Sequence, residues 1–129
     1  MQQDAFFSSN PEIRAAQERF GYADAVVAGD TVYVSGVVAF LAEKEDDVAA
    51  ALERAFDRLA QTLDNLGLGW ENVVSLDTFH TQLKAHSDIF KQVKNRYIKE
   101  PFPAWTAVGV SDLARPNAIA EIKLTAWKG

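Results

Sequence analysis

The polar side chains best placed to do chemistry lie on one predicted strand near the end of the chain. Ala118–Trp127 alternates between apolar and polar side chains, which is typical of a strand with one buried face. Its polar face carries Glu121, Lys123 and Trp127, so a carboxylate, an ammonium group and an indole lie along one side. The carboxylate could orient or transfer a proton, or it could simply pair with Lys123 or with Arg115 of a neighbour. Glu121 is therefore the candidate catalytic residue.

A second strand is predicted at Ala104–Val110, just upstream of this one. It places Trp105 on one face and Thr106 on the other. Turn-forming residues lie between positions 111 and 117, so we expect the two strands to be joined as a hairpin. Trp105 would then share a face with Glu121. Its indole could be a flat surface on which a ligand stacks, or it could be buried in a subunit contact.

An earlier hairpin and a long helix must help to position these residues. Asp24–Gly36 has two β-branched runs around a Gly-Asp turn, and Ser35 points away from the apolar face of the second run. Asp46 or Asp47 can cap the helix that follows, whose apolar residues recur at three- and four-residue steps. Gly67 stands where a left-handed cap would end this helix.

The second half of the chain is expected to add a strand and a shorter helix before the two strands described above. Val73–Thr81 alternates as a strand does, and Ser87 could cap a helix that runs to Tyr97. Residues 13–20, by contrast, are expected to form a loop or a single helical turn. The predicted order is β-β-α-β-α-β-β within one domain, residues 1–129. The most economical arrangement is an α+β fold, with a mostly antiparallel sheet and two helices packed on one face.

This layering leaves one face of the sheet without a cover. The aromatic side chains expected on that face are Tyr33, Phe79, Trp105 and Trp127. Large exposed apolar patches usually mark a contact, so we expect the chain to associate with itself.

Composition and charge narrow the class of function. The 129 residues carry a net charge of −5 and contain no cysteine. The acidic charge disfavours nucleic acid as a partner, and the lack of cysteine fits a cytoplasmic protein. The sequence shows neither a secretory signal nor an apolar run long enough to span a membrane. His80 and His86 are the only histidines and have no suitable companions, so neither a metal site nor a cofactor is predicted.

Four segments, taken together, resemble the Rid (YjgF-type) family. They are Gly21-Tyr22-Ala23-Asp24-Ala25-Val26, Val34-Ser35-Gly36, Pro103-Ala104-x-Thr106 and Ala120-Glu121-Ile122. Their order and spacing around the two helices match the family over about residues 20–128. The motif PxWTAVGV is most similar to the YjgH-like branch. The resemblance implies a chorismate-mutase-like α+β fold and a homotrimer.

The resemblance also implies roles for individual residues. The better-known members hydrolyse reactive enamines and imines to a keto acid and ammonia, in clefts between neighbouring subunits. Tyr22 and Ser35 match a tyrosine and a serine that line the family's pocket, and Glu121 matches a glutamate that assists the attacking water. Trp105 stands where an arginine is expected to hold the substrate carboxylate. Thr106, beside it in the matched strand, is included among the substrate-binding residues.

The change at position 105 leaves two functional hypotheses. Tryptophan offers one N–H group and a large apolar surface, whereas arginine offers a pair of donors for a carboxylate. The first hypothesis is an enamine or imine hydrolase, or deaminase, whose substrate depends less on a carboxylate. The second is a non-catalytic trimer that binds a small ligand or modulates a partner protein. In both, the expected partners are a small molecule and other copies of the chain.

Overall fold

The computed structural model describes residues 3–129, which form one six-stranded sheet, three α-helices and a short 3₁₀ helix at Trp70–Asn72. The strands are β1 (Gln3–Phe6), β2 (Ala25–Ala28), β3 (Thr31–Phe40), β4 (Val73–His80), β5 (Ala104–Gly109) and β6 (Ala118–Trp127). The helices are α1 (Pro11–Phe20), α2 (Val48–Asn65) and α3 (Leu83–Tyr97). The order of strands in the sheet is β1-β2-β3-β6-β4-β5, and every neighbouring pair is antiparallel except β4 and β5. No helix within residues 3–129 is both long and apolar enough to cross a membrane.

The hydrophobic core lies between one face of the sheet and the helices α2 and α3. Phe56 of α2 and Phe90 of α3 meet there with ring centroids 5.9 Å apart. The sheet contributes alternate residues of β3 and β6, including Val32, Ile122 and Leu124, all fully buried. Burying one such side chain is worth about 1.5–3 kcal/mol, so this layer supplies much of the driving force for folding. The α+β prediction, with α2 and α3 on one face, is confirmed.

The predicted hairpin and long helix are also confirmed. β2 and β3 are joined through Gly29, which has a φ of +62°. The carboxylate of Asp47 accepts a hydrogen bond of 3.0 Å from the backbone N–H of Ala50 and so caps the start of α2. Gly67, just after the helix, has a φ of +73°, a backbone conformation that suits glycine.

Two predictions about helices are wrong. Residues 11–20 form α1, a full helix, because the Asn10 side chain accepts hydrogen bonds from the N–H groups of Glu12 and Ile13 and Pro11 occupies the first turn. The helix α3 begins at Leu83, so Ser87 lies inside it and caps nothing. A serine was mistaken for a cap because local sequence cannot show that a helix has already begun.

The prediction of a hairpin between β5 and β6 is wrong as well. β6 lies between β3 and β4, and β5 is an edge strand that runs parallel to β4. Parallel neighbours need a crossover connection, which α3 provides between β4 and β5. The turn-forming residues after β5 therefore lie in a longer connection to the middle of the sheet rather than in a tight turn.

The face of the sheet opposite α2 and α3 exposes aromatic side chains, as the sequence indicated. Tyr33 is 51% exposed and Trp127 is 54% exposed. Phe79, between the buried residues Thr78 and His80, also lies on this face and is partly covered. Trp105 does not lie there. It is in register with the fully buried Leu76 of β4, and its side chain reaches Phe90 of α3 on the other face.

Candidate functional site

A cleft of about 770 Å³ opens where β3 extends beyond the end of its neighbour β2. β2 pairs with β3 only as far as Val34, so among residues 3–129 no strand pairs with the edge of β3 from Ser35 to Phe40 on that side. The C-terminal part of α1, the middle of α2 and the connection before β6 surround this open edge. The cleft is lined by Ala16, Phe20, Tyr22, Ser35, Gly36, Val38, Phe40, Arg58, Ala114, Arg115, Pro116 and Glu121.

Glu121 reaches the cleft from the middle of β6. It lies between Ala120 and Ile122, both fully buried, so its own side chain projects from the opposite face of the sheet. The carboxylate lies against the backbone of Gly36 on the neighbouring strand. A Cβ atom at position 36 would be 2.8 Å from Cδ of Glu121 and would overlap with its carboxylate oxygen. Glycine at position 36 therefore makes room for the carboxylate.

An irregularity in β3 creates this arrangement. The pairing between β3 and β6 shifts register between Val34 and Val37, which leaves Ser35 and Gly36 without regular partners. Because of the shift, Val34 and Val37 are both buried, although they are three residues apart. Bulges of this kind bend a strand and redirect its side chains, and they are common beside active sites.

Tyr22 and Ser35 are brought together by the end of α1. Gly21 ends that helix with a φ of +76°, and the chain then turns toward β2 past Tyr22. The Ser35 hydroxyl donates a hydrogen bond of 2.7 Å to the carbonyl of Ala23. The Ser35 N–H donates to the carbonyl of Asp24 at 2.9 Å. Ser35 thus anchors the segment that carries Tyr22, and only its oxygen lone pairs are left to face a ligand.

Two guanidinium groups also line the cleft. Arg58 of α2 lies 3.4 Å from the carboxylate of Asp24, which also accepts a hydrogen bond from the Gln17 side chain. Arg115 lies in the connection before β6, with its guanidinium carbon 3.6 Å from the centroid of the Phe40 ring. The cleft therefore contains partners for a positive and a negative group of one ligand, because Glu121 supplies a carboxylate and the two arginines supply cations.

Trp105 and Thr106 do not reach this cleft within the chain. The Trp105 indole N–H donates a hydrogen bond of 3.0 Å to Oγ1 of Thr78, on the face covered by α3. Thr106 lies on the opposite face, in register with Asp77 and Lys123, and is two strands away from β6. The expectation that Trp105 and Glu121 share a face is wrong. Alternation shows which residues of one strand share a face, but the register between strands decides which residues of different strands lie on the same face of the sheet.

His80 lies in the core beneath α3 rather than in the cleft. Its side chain is almost fully buried, with Nε2 2.7 Å from Oγ1 of Thr78 and its ring edge-on to Phe90. Burial lowers the pKa of His80 below its usual value, and the nearby His86 lowers it further. Within residues 3–129, no three His, Cys, Asp or Glu side chains are grouped so that they could hold a metal ion.

Comparison with known proteins identifies the family of this fold. The model of the family described as Endoribonuclease L-PSP matches residues 12–128. The chain belongs to this family, which is the YjgF/Rid family. It is 34% identical over 96 residues to the RutC family protein YjgH of Escherichia coli, covering 72% of this chain and 73% of that protein. The fold is accordingly the chorismate-mutase-like α+β fold that the sequence resemblance implied.

A solved structure and a second curated relative extend the comparison to structure and to activity. A solved structure of protein YjgH superposes with a TM-score of 0.82 at 31% identity, and the match covers 98% of this chain and 97% of that one. The 2-iminobutanoate/2-iminopropanoate deaminase of Dermatophagoides farinae is 28% identical over 109 residues, which are 79% of this chain and 81% of that enzyme.

Sequence reasoning named Tyr22, Ser35 and Glu121, which the structure brings together, but it missed other residues of the cleft. Phe20 was missed because α1 was expected to be a loop. The Asn-Pro pair at positions 10 and 11 was the signal that could have predicted that helix. Arg58 lies on α2 and reaches the cleft from there, and nothing in its spacing along the sequence indicates a cleft.

Proposed function

We propose that the cleft hydrolyses small imines or enamines, with Glu121 as the residue that handles protons. The observation that carries the proposal is the convergence of Tyr22, Ser35 and Glu121 on one cleft in a chain of the YjgF/Rid family. The Dermatophagoides relative is named for deamination of 2-iminobutanoate and 2-iminopropanoate, which supports the same class of reaction.

The chemistry requires a proton to move twice, and Glu121 is positioned for both transfers. A water molecule adds to the carbon of the C=N bond. The Glu121 carboxylate accepts a proton from that water and passes it to the nitrogen, which gives a tetrahedral carbinolamine. As the C–N bond breaks, Glu121 takes the proton of the carbinolamine hydroxyl and passes it to the leaving nitrogen, so the products are a carbonyl compound and ammonia. Proton transfer by a positioned side chain typically contributes a factor of about 10²–10⁴ to the rate.

Gly36 and Ser35 hold the groups that carry out this chemistry. The absence of a side chain at Gly36 lets the Glu121 carboxylate lie against the backbone of β3. The Ser35 hydroxyl fixes the segment that presents Tyr22. The cleft is thus organised by short local contacts, which is the preorganisation that catalysis needs.

We also propose a homotrimer in which a neighbouring subunit closes the open side of the cleft. The exposed Tyr33 and Trp127 on the uncovered face favour association. β5 is an edge strand exposed along its whole length, and Trp105 and Thr106 lie on it. In such an assembly, Trp105 and Thr106 of one subunit would border the cleft of the next, although they do not reach the cleft of their own chain.

The proposal is tested by following ammonia released from imines that an amino-acid oxidase generates in situ, with correction for spontaneous hydrolysis. The wild-type protein should accelerate hydrolysis of at least one imine in a panel of aliphatic and aromatic side chains. Glu121→Gln should lower that rate by about 10²–10⁴. Glu43→Gln, which removes an exposed carboxylate outside the cleft, is the matched control and should retain the wild-type rate.

Two outcomes would count against hydrolysis. Acceleration that persists in Glu121→Gln would show that the reaction does not depend on this cleft. An absence of acceleration across the whole panel would favour the alternative function, a trimer that binds a small ligand without turning it over.

A further inference from the structure

The cleft must bind its ligand without the arginine that the family resemblance places on β5. Trp105 occupies that position, and its one N–H group is already bonded to Thr78. Lys94, whose ammonium group lies 4.8 Å from the centroid of the Trp105 ring, is largely buried and donates to the side chain of Asn95. A cation for an anionic ligand therefore has to come from elsewhere, and the cleft itself contains two guanidinium groups.

Arg58 already forms an ion pair with Asp24. Its guanidinium lies 3.4 Å from the Asp24 carboxylate, and both side chains are partly shielded from water. Asp24 is held in turn by the amide of Gln17, a fully buried residue. An anionic ligand would have to compete with Asp24 for Arg58, so this arginine belongs to the wall of the cleft.

Arg115 is oriented but not neutralised. Its guanidinium carbon lies 3.6 Å from the centroid of the Phe40 ring, which is close enough for a cation–π interaction. Within residues 3–129, no Asp or Glu oxygen lies within 4.0 Å of this guanidinium. A guanidinium in a cation–π contact can still donate its N–H groups, so Arg115 is available for a two-pronged contact with a planar anion.

The backbone around Arg115 helps to hold it in place. Pro116 restricts the chain immediately after it, and Asn117 adopts a φ of +60°, a left-handed conformation that asparagine tolerates better than most residues. The carbonyl of Asn117 accepts a hydrogen bond of 3.0 Å from the N–H of Leu41, just after β3. The segment that carries Arg115 is thus tied to the strand that carries Phe40.

We propose that Arg115 binds the anionic group of the cleft's ligand and so determines its specificity. The favoured ligand carries a planar anion such as a carboxylate, an apolar body, and a nitrogen that faces Glu121. Arg115 and Glu121 line the same cleft without pairing with each other, so opposite charges of one ligand can engage both. Phe20, Val38 and Phe40 supply the apolar walls. The inference deepens the proposed function by naming this substrate class, and it replaces the expectation that Trp105 makes the site less dependent on a carboxylate.

A binding experiment tests Arg115 without requiring catalysis. The probes are 4-methyl-2-oxopentanoate and 4-methyl-2-oxopentanamide, which share the same apolar body and differ in the charge of one group. Calorimetric titration at low salt should show that the wild-type protein binds the acid about 10-fold or more tightly than the amide. This preference should shrink as salt is added, because Arg115 is exposed.

Three variants test whether Arg115 causes the preference for the acid over the amide. Arg115→Gln should lose it, and Arg115→Lys should keep part of it because the charge remains while the two-pronged contact is lost. Arg96→Gln removes an arginine from the surface of α3, where it pairs with Glu53, and should behave like wild type. Urea unfolding of each variant confirms that the chains compared are folded.

The outcomes separate this inference from the proposed function. Equal affinities of wild type and Arg115→Gln for the acid would overturn the inference, even if imine hydrolysis by Glu121 had been demonstrated. A wild-type protein that binds the acid no better than the amide would overturn it as well. An acid preference that disappears in Arg115→Gln supports it, and this holds even if no imine is hydrolysed, in which case only the hydrolytic function is wrong.

Discussion

Replacing Gly36 with alanine should inactivate the cleft while leaving the fold intact. The added Cβ would lie 2.8 Å from Cδ and 3.0 Å from Cγ of Glu121. Non-bonded carbon atoms prefer separations of about 3.5–4.0 Å, so the Glu121 side chain must move by about 0.7–1.2 Å. Misplacing a catalytic group by about 1 Å can cost a factor of about 10² in rate. We therefore expect imine hydrolysis to fall about 100-fold in Gly36→Ala.

The free energy of unfolding of Gly36→Ala should be equal to that of wild type or slightly higher, although its activity falls. The atoms that clash belong to the end of a flexible side chain, which can swing aside. Alanine in place of glycine also lowers the entropy of the unfolded chain, which is worth about 0.4–1 kcal/mol where the backbone is compatible. The midpoint of urea unfolding should therefore not fall.

The assay compares ammonia release and urea unfolding for wild type, Gly36→Ala and Glu43→Gln. Glu43 is exposed and lies outside the cleft, so its replacement should change neither activity nor stability by much. A folded Gly36→Ala protein with wild-type activity would refute the argument, because it would show that the position of Glu121 against β3 does not matter for the reaction.

Three further predictions concern the rest of the molecule. Trp105→Arg should lower the free energy of unfolding, measured by urea titration, by about 1–3 kcal/mol. The change removes the hydrogen bond to Thr78 and the stacking on Phe90, and it brings a second cation near Lys94. An unchanged free energy of unfolding would contradict the position of Trp105 under α3. The free energy of unfolding should fall as the pH drops below about 6.5. The pKa of His80 is lowered in the folded state, so below this pH the unfolded chain binds a proton at His80 more readily than the folded chain does. A decline of the same size in His80→Gln would rule out this cause. Sedimentation equilibrium at micromolar concentration should give about three times the chain mass of 14.2 kDa, and a stable monomer would contradict the proposed assembly.

Local sequence patterns were sufficient for the elements whose signals are local. The apolar spacing of α2 and the Asp47 cap lie within a single stretch of chain, as do the β-branched runs on either side of Gly29. The faces of β6 followed from alternation alone, and so Glu121 was placed on the correct side of the sheet. These predictions needed no knowledge of which strands are neighbours.

The wrong predictions concern features that depend on contacts between distant parts of the chain. The turn residues after β5 are typical of a hairpin, but a turn does not specify whether the strands that flank it pair with each other. The face of Trp105 depends on its register with Leu76, which only the folded sheet determines. The role of Arg115 also depends on distant chain, because the ring that its guanidinium contacts belongs to Phe40, 75 positions earlier.

The most direct test of the cleft as the functional site is a crystal structure of the protein with 4-methyl-2-oxopentanoate bound. The oxo group stands in for the C=N group of the imine. We expect the carbonyl carbon to lie beside Glu121 and the carboxylate to be bound by Arg115, with β5 of a neighbouring subunit closing the open side. A ligand bound outside the cleft, or bound in it with no contact to Glu121, would contradict the account.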